Sequence, residues 1–80
     1  MSIRDILDAQ GTDYDVKRDG KTVGTHRGTK NAIRRLIGFA PDTDIRTGDS
    51  LTVEGSPERF NVRDVIDEKY GDQGARYAKY

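Results

Sequence analysis

Apolar residues in this chain recur at alternate positions in short runs, and turn-forming residues separate the runs. In DYDVKRDGKTVGTHRG, Tyr14 and Val16 share one face of a first arm, while Val23 and Thr25 alternate with Thr22, Gly24 and His26 on a second. Asp19-Gly20 between the arms supplies the positive φ angles that a tight hairpin turn requires. Gly24 and Gly28 leave room on the second arm for close backbone approach or a bulge. The next run, NAIRRLIGFAP, fits two periods, with Asn31 as a helix cap or Ile33, Ile37 and Phe39 on one face of a strand. Seven or eight residues make a poor helix, so residues 31–37 are read as strand running out into a turn at Pro41.

Downstream, DIRTGDSLTVEGSPERFNVRDV reads as a turn, a strand with Leu51 and Val53 inward, a reversal at GSPE, and a strand with Phe60 and Val62 in phase. Val65 breaks that phase, which a bulge near Arg63 and Asp64 would correct. The polar stretch DEKYGDQG is expected to be a loop, and ARYAKY a last strand. At the other end, Ser2 as N-cap, Asp5 three residues on, and Ile3, Ile6 and Leu7 at helical spacing predict a short helix over Ile3–Ala9. One short helix and about six strands predict a mainly β fold, a small antiparallel β-barrel or half-barrel of Src-homology-like or OB-like type. Its central hairpin is Asp44–Val65, and its interior is Val16, Val23, Ile37, Leu51, Val53, Phe60 and Val62.

Composition narrows this further. Eighty residues, 32% hydrophobic and 35% charged, provide for a single thin core over 1–80. The alternation that runs to Tyr80 is also what the N-terminal module of a longer protein would show. Without cysteine there is no disulfide framework and no thiolate metal site. With no apolar run long enough to span a bilayer and charges throughout Met1–Gln10, the expected setting is cytoplasmic or virion-associated, without a signal peptide.

Zero formal net charge conceals segregation. Lys17, Arg18, Lys21, Arg27, Lys30, Arg34 and Arg35 share their segment with Asp19 alone, and the remaining acids lie before and after it. Such a cluster could neutralise phosphates, with Tyr14, His26 or Tyr77 as stacking surfaces, or meet the acidic side of another copy of the chain. Catalytic readings fare worse. His26 is the sole histidine and sits on a glycine-rich arm, with no serine in a nucleophile elbow. Gly20-Lys21-Thr22 lacks the leading glycine of a phosphate-binding loop, because that position is Asp15. In DTDIRTGD the fifth position of a calcium loop would be Arg46, so Asp42, Asp44 and Asp49 are read as turn residues bonding nearby backbone N–H groups. The expectation is a non-enzymatic assembly or adaptor module with no cofactor, metal or small-molecule substrate. Its partner is a protein or a second copy, and the alternative partner is nucleic acid bound by the basic 17–35 region.

The phrase Asp44–Val65 resembles one found in small bacteriophage and prophage barrel proteins of the head-tail connector or neck type. An acidic turn, Ile45, Gly48-Asp49, a strand with Leu51, a short turn, then Phe60, Val62 and Val65 carry the likeness over about a quarter of the chain. The phrase is also similar to short N-terminal modules of uncharacterised bacterial proteins. The resemblance implies a small barrel that assembles into a ring. Connector proteins usually add a long arm reaching the neighbouring subunit, and no long insertion is present here.

Overall fold

A computed structural model describes residues 11–70 and 73–80, and the helix expected over Ile3–Ala9 lies outside them. The described residues form seven strands: β1 (Thr12–Arg18), β2 (Lys21–Asn31), β3 (Leu36–Phe39), β4 (Ser50–Thr52), β5 (Arg59–Asn61), β6 (Asp64–Tyr70) and β7 (Gln73–Lys79). All pairings are antiparallel, in the order β5-β4-β1-β2-β3-β7-β6. The first and last strands of that order, β5 and β6, are separated in the chain only by Val62 and Arg63. Two residues cannot span a flat seven-stranded sheet, so the sheet curls into a half-barrel whose edges meet at a corner.

Backbone hydrogen bonds pin that corner. Val62 N–H donates to the Asp49 carbonyl at 2.8 Å, Gly48 N–H to the Val62 carbonyl at 2.8 Å, and Arg63 N–H to the Lys79 carbonyl at 2.7 Å. The phase break expected near Arg63 and Asp64 is therefore real, but its form differs. In place of a bulge in one strand, the chain leaves the β4 ladder and joins the β7 ladder. The segment β4–β5 consequently forms one end of the strand order rather than the central hairpin.

The first hairpin forms where the Asp-Gly signal places it, with φ of 53° at Asp19 and 79° at Gly20, as a type I′ turn requires. Arg18 pairs with Lys21 and Lys17 with Thr22, after which the register shifts so that Val16 faces Gly24. Val23 is left unpaired at this bulge. An unshifted ladder would have set Val23 opposite Val16 and pointed it inward. Instead Gly24, His26 and Gly28 share the face of Tyr14 and Val16, and Val23 is 46% exposed, which corrects its assignment to the core.

The small residues on that face have a use. β2 pairs with β1 as far as Gly28 and with β3 from Thr29 onward, so Gly28 sits where one sheet turns into the next. A Cβ there would lie 2.7 Å from Phe39 Cε1 and 2.9 Å from Ile37 Cγ2. Glycine at this position lets the Phe39 ring close over the bend.

The predicted strand over residues 31–37 is also corrected. Asn31 ends β2, residues 32–35 form a turn, and β3 begins at Leu36. The Asn31 side-chain oxygen accepts the Arg34 N–H at 3.1 Å, an Asx-type closure that competes with strand extension. Arg35 takes a φ of 55° to complete the reversal. Ile33 is thereby 96% exposed at the tip, while Ile37 and Phe39 are fully buried.

Two cross-strand rows make most of the interior. Val16, Leu51 and Phe60 align across β1, β4 and β5; Ile37, Ala78 and Val65 align across β3, β7 and β6. Tyr14, Phe39, Ile45 and Val62 fill the space between, and Val53, Phe60, Val65 and Tyr80 pack against them half-buried. The stretch expected as the polar loop DEKYGDQG contributes strand instead, with Asp67 opposite Arg76 and Glu68 opposite Ala75 in the β6–β7 hairpin. Exposure of Asp67 and Lys69 explains why polarity there mimics a loop.

Gly28→Ala is expected to lower unfolding free energy by about 1–3 kcal/mol, through overpacking against Phe39 and Ile37. Val23→Thr should change it by no more than about 0.5 kcal/mol, as an exposed position allows. Urea denaturation of both variants checks the register. A costly Val23→Thr beside a neutral Gly28→Ala would reverse it.

Candidate functional site

The 40–49 segment between β3 and β4 is built around one buried carboxylate. Asp49 is 2% exposed, and its oxygens accept Arg18 Nε at 2.9 Å and Arg18 Nη2 at 2.8 Å, a side-on bidentate pair. The Arg46 backbone N–H adds a third bond at 2.9 Å, as expected of a turn aspartate. These hydrogen bonds, Arg18 foremost, hold the Asp49 carboxyl below the usual carboxylate range against the opposing effect of burial. The same contacts hold the Arg18 guanidinium charged. Asp44, more exposed, approaches Arg18 Nη2 at 3.3 Å and Arg46 Nε at 3.6 Å. On the far side of the segment Arg76 donates to the Thr43 carbonyl at 2.6 Å while pairing with Asp67 at 2.7 Å. Arg18, expected on an interaction surface, is thus a structural cation.

The other six residues of the expected basic cluster divide into two groups. Lys17, Lys21 and Arg27 stay with the first hairpin, where Arg27 Nε lies 3.2 Å from Asp13 Oδ1. Arg34 and Arg35 lie in the 32–35 turn at the other end of β2, and Lys30 lies just before it. Lys30 shares a face with its inward neighbour Ile37, and its amine emerges 5.2 Å above the Phe60 ring and 3.8 Å from Glu58 Oε2. Arg35 donates from Nε to the backbone oxygen of Tyr80 at 3.0 Å and lies 5.2 Å over the Tyr80 ring.

Beside this second group the structure brings in two cations that sequence reasoning missed. Arg35, Arg59, Phe60, Asn61, Arg63 and Tyr80 line a groove of about 400 Å³ along the seam where the edges of the half-barrel meet. Among the described residues, neither Arg59 nor Arg63 forms an ion pair, whereas Arg18, Arg27, Arg46 and Arg76 all do. The floor is aromatic, with Phe60 and Tyr80 centroids 4.8 Å apart and tilted by 60°. Asn61 is held by Ser50, whose hydroxyl donates to Asn61 Oδ1 at 3.2 Å, leaving the amide N–H groups as donors. The alternation Arg59, Asn61, Arg63 was readable along the chain; its meeting with Arg35 depends on the corner.

The expected stacking residues lie elsewhere. Tyr14 is 3% exposed, edge-on to Phe39 at 5.9 Å and to Phe60 at 6.3 Å, and burial, then Tyr80 and Glu58, raise its phenol pKa. The His26 ring folds back over Gly24, whose added Cβ would come 2.9 Å from Nε2. Tyr77 packs against Gly38. A second groove of about 400 Å³, between Tyr14, Thr29, Val53 and Glu58, contains the Lys30 and Glu58 pair and is charge-balanced. Among the described residues no three His, Asp or Glu side chains gather as metal ligands, and no helix is long and apolar enough to cross a membrane. Comparison of the chain with protein-family models, curated proteins and solved structures finds no match.

Because the Asp49 pKa is depressed in the folded state, its contribution is fully present above the unfolded carboxylate pKa of about 3.9 and is lost as pH falls through the lower folded value. Asp49→Asn should therefore cost about 1–3 kcal/mol at pH 7. The gap between wild type and variant should close as acid protonates Asp49. Urea titrations at several pH values measure this, and a gap that is constant down to the acid limit would contradict it.

Proposed function

We propose that this chain is a non-enzymatic interaction module of the small-barrel class, Src-homology-like or OB-like, with the seam groove as the surface that meets its partner. One observation carries the reading: three arginines converge on a groove with no Asp or Glu among its lining residues, in a chain of zero formal net charge. Like charges in one groove repel, and an anionic partner relieves that repulsion while gaining charge-assisted hydrogen bonds. The aromatic floor adds apolar contact area of the type enriched at binding surfaces. On this reading the interaction surface is Arg35, Arg59 and Arg63 rather than Lys17, Lys21 and Arg27 on the hairpin.

Self-assembly is a second reading, favoured by β5 and β6, each of which pairs on one side only. Such edges accept further strands, and the resemblance of Asp44–Val65 to ring-forming phage connector proteins points the same way. Light scattering over a wide concentration range reads the outcome directly. A concentration-independent monomer mass removes self-assembly and leaves the groove for a different partner.

The groove reading is tested by amide chemical-shift mapping with a short heparin fragment as a generic polyanion. Shifts should concentrate at Arg35, Arg59–Arg63 and Tyr80 and vanish as salt rises. Shifts centred on the β1–β2 hairpin, or none at low salt, would overturn it.

A further inference from the structure

We propose that the partner held by the seam groove is single-stranded nucleic acid, with the phosphodiester backbone on Arg35, Arg59 and Arg63 and an unpaired base against the Tyr80 and Phe60 side. The inference rests on the groove being the interaction surface and adds the chemistry of what fills it.

The lining is rich in hydrogen-bond donors. Arg35, Arg59 and Arg63 offer only donors, and Asn61, with its oxygen taken by Ser50, has its amide N–H groups left to give. A ligand here must be rich in acceptors and negatively charged. Guanidinium forks match phosphate oxygens in pairs, and the Asn61 amide suits either a phosphate oxygen or a base carbonyl. An acidic peptide would meet the charge requirement, but its carboxylates make no stacking contact with the rings. Nucleobases do: Arg guanidinium planes and aromatic side chains are the surfaces on which unstacked bases rest. Arg35 at 5.2 Å over the Tyr80 ring, with the Phe60 centroid 4.8 Å from that of Tyr80, presents one such cation and ring pair beside a second ring.

Size and shape select the single strand. About 400 Å³ lies near the lower end of ligand-sized sites, about 300–1,000 Å³, and so takes one element of a polymer at a time. The surrounding surface is strand and turn, and among the described residues no helix projects to enter a major groove. Bases that are already unpaired reach the rings without the cost of opening a duplex. Zero net charge makes the binding local, so its salt dependence should report a few phosphates and no more.

Fluorescence anisotropy with labelled oligothymidylate and oligouridylate tests this, beside a duplex of equal length, an abasic strand with the same phosphate count, and poly-L-glutamate. Single strands should bind with a slope of log K against log salt near −2, as about three phosphate contacts give. Duplex and abasic strands should bind about tenfold more weakly. Arg59→Gln with Arg63→Gln should reduce single-strand affinity about tenfold or more and flatten the slope, while Lys17→Gln with Lys21→Gln leaves both unchanged. Both groove arginines are exposed, so unchanged urea midpoints confirm that the loss is not unfolding. Preference for duplex, equal affinity for the abasic strand, or sensitivity to the hairpin lysines instead of the arginines overturns the inference. Poly-L-glutamate shifting Arg59–Arg63 while no oligonucleotide does so would overturn the nucleic-acid assignment but keep the groove; silence from every anion removes both.

Discussion

Three parts of the molecule meet at Asp49. Its carboxylate takes the Arg18 fork from β1 and the Arg46 N–H from its own turn, and its carbonyl accepts the Val62 N–H at the β5–β6 corner. The sheet curls because β5 and β6, two residues apart in the chain, stand at opposite ends of the strand order. Something must fix where those ends converge. Apolar packing is nondirectional, and in a core this thin it does not by itself select one seam over a neighbouring register. A bidentate pair has a defined geometry and leaves both groups unsatisfied in any other, so it specifies the seam more than it adds to stability. Among the described residues no buried side-chain polar atom lacks a partner, consistent with a fully satisfied device.

The groove follows from that corner. Arg63 belongs to it, Arg59 and Asn61 precede it on β5, and Arg35 and Tyr80 adjoin the paired ends of β3 and β7, where Leu36 faces Lys79. The backbone ties Tyr80 N–H to the Arg35 carbonyl at 3.1 Å, so the turn and the end of the described chain move as one wall. The groove therefore lies where the sheet closes, and its lining comes from three separate stretches of sequence.

The hairpin turn at Asp19-Gly20 and the inward phase of Tyr14, Val16, Leu51 and Val62 were legible from the chain alone, because turn chemistry and alternation are local signals. Val23 was not, since alternation tells which residues share a face and not which face is dry. One extra residue opposite Val16 and Lys17 decided that, and bulges leave little trace beyond the neighbouring glycines. Ile33 misled for a similar reason, an apolar residue in strand phase whose backbone is captured by the Asn31 side chain. The β6–β7 hairpin was hidden by its polarity, as exposed ribbons need no apolar face along their whole length. Arg18 looked like a surface cation, but it lies in phase with Tyr14 and Val16, and a charge on an inward phase calls for a buried partner. The groove was the least legible feature, because its residues are 24 to 45 positions apart where Arg35 meets Arg59 and Tyr80.

Native-state hydrogen exchange at the corner tests the closure most directly. If the seam is integral to the fold, the Val62 and Arg63 amides exchange only through global unfolding, with the same opening free energy as the amides of Val16 and Ile37. Fast exchange at Val62 and Arg63 while Val16 and Ile37 stay protected would show that the edges part independently. In that case neither the half-barrel's closure nor the groove built on it would be a fixed property of the molecule.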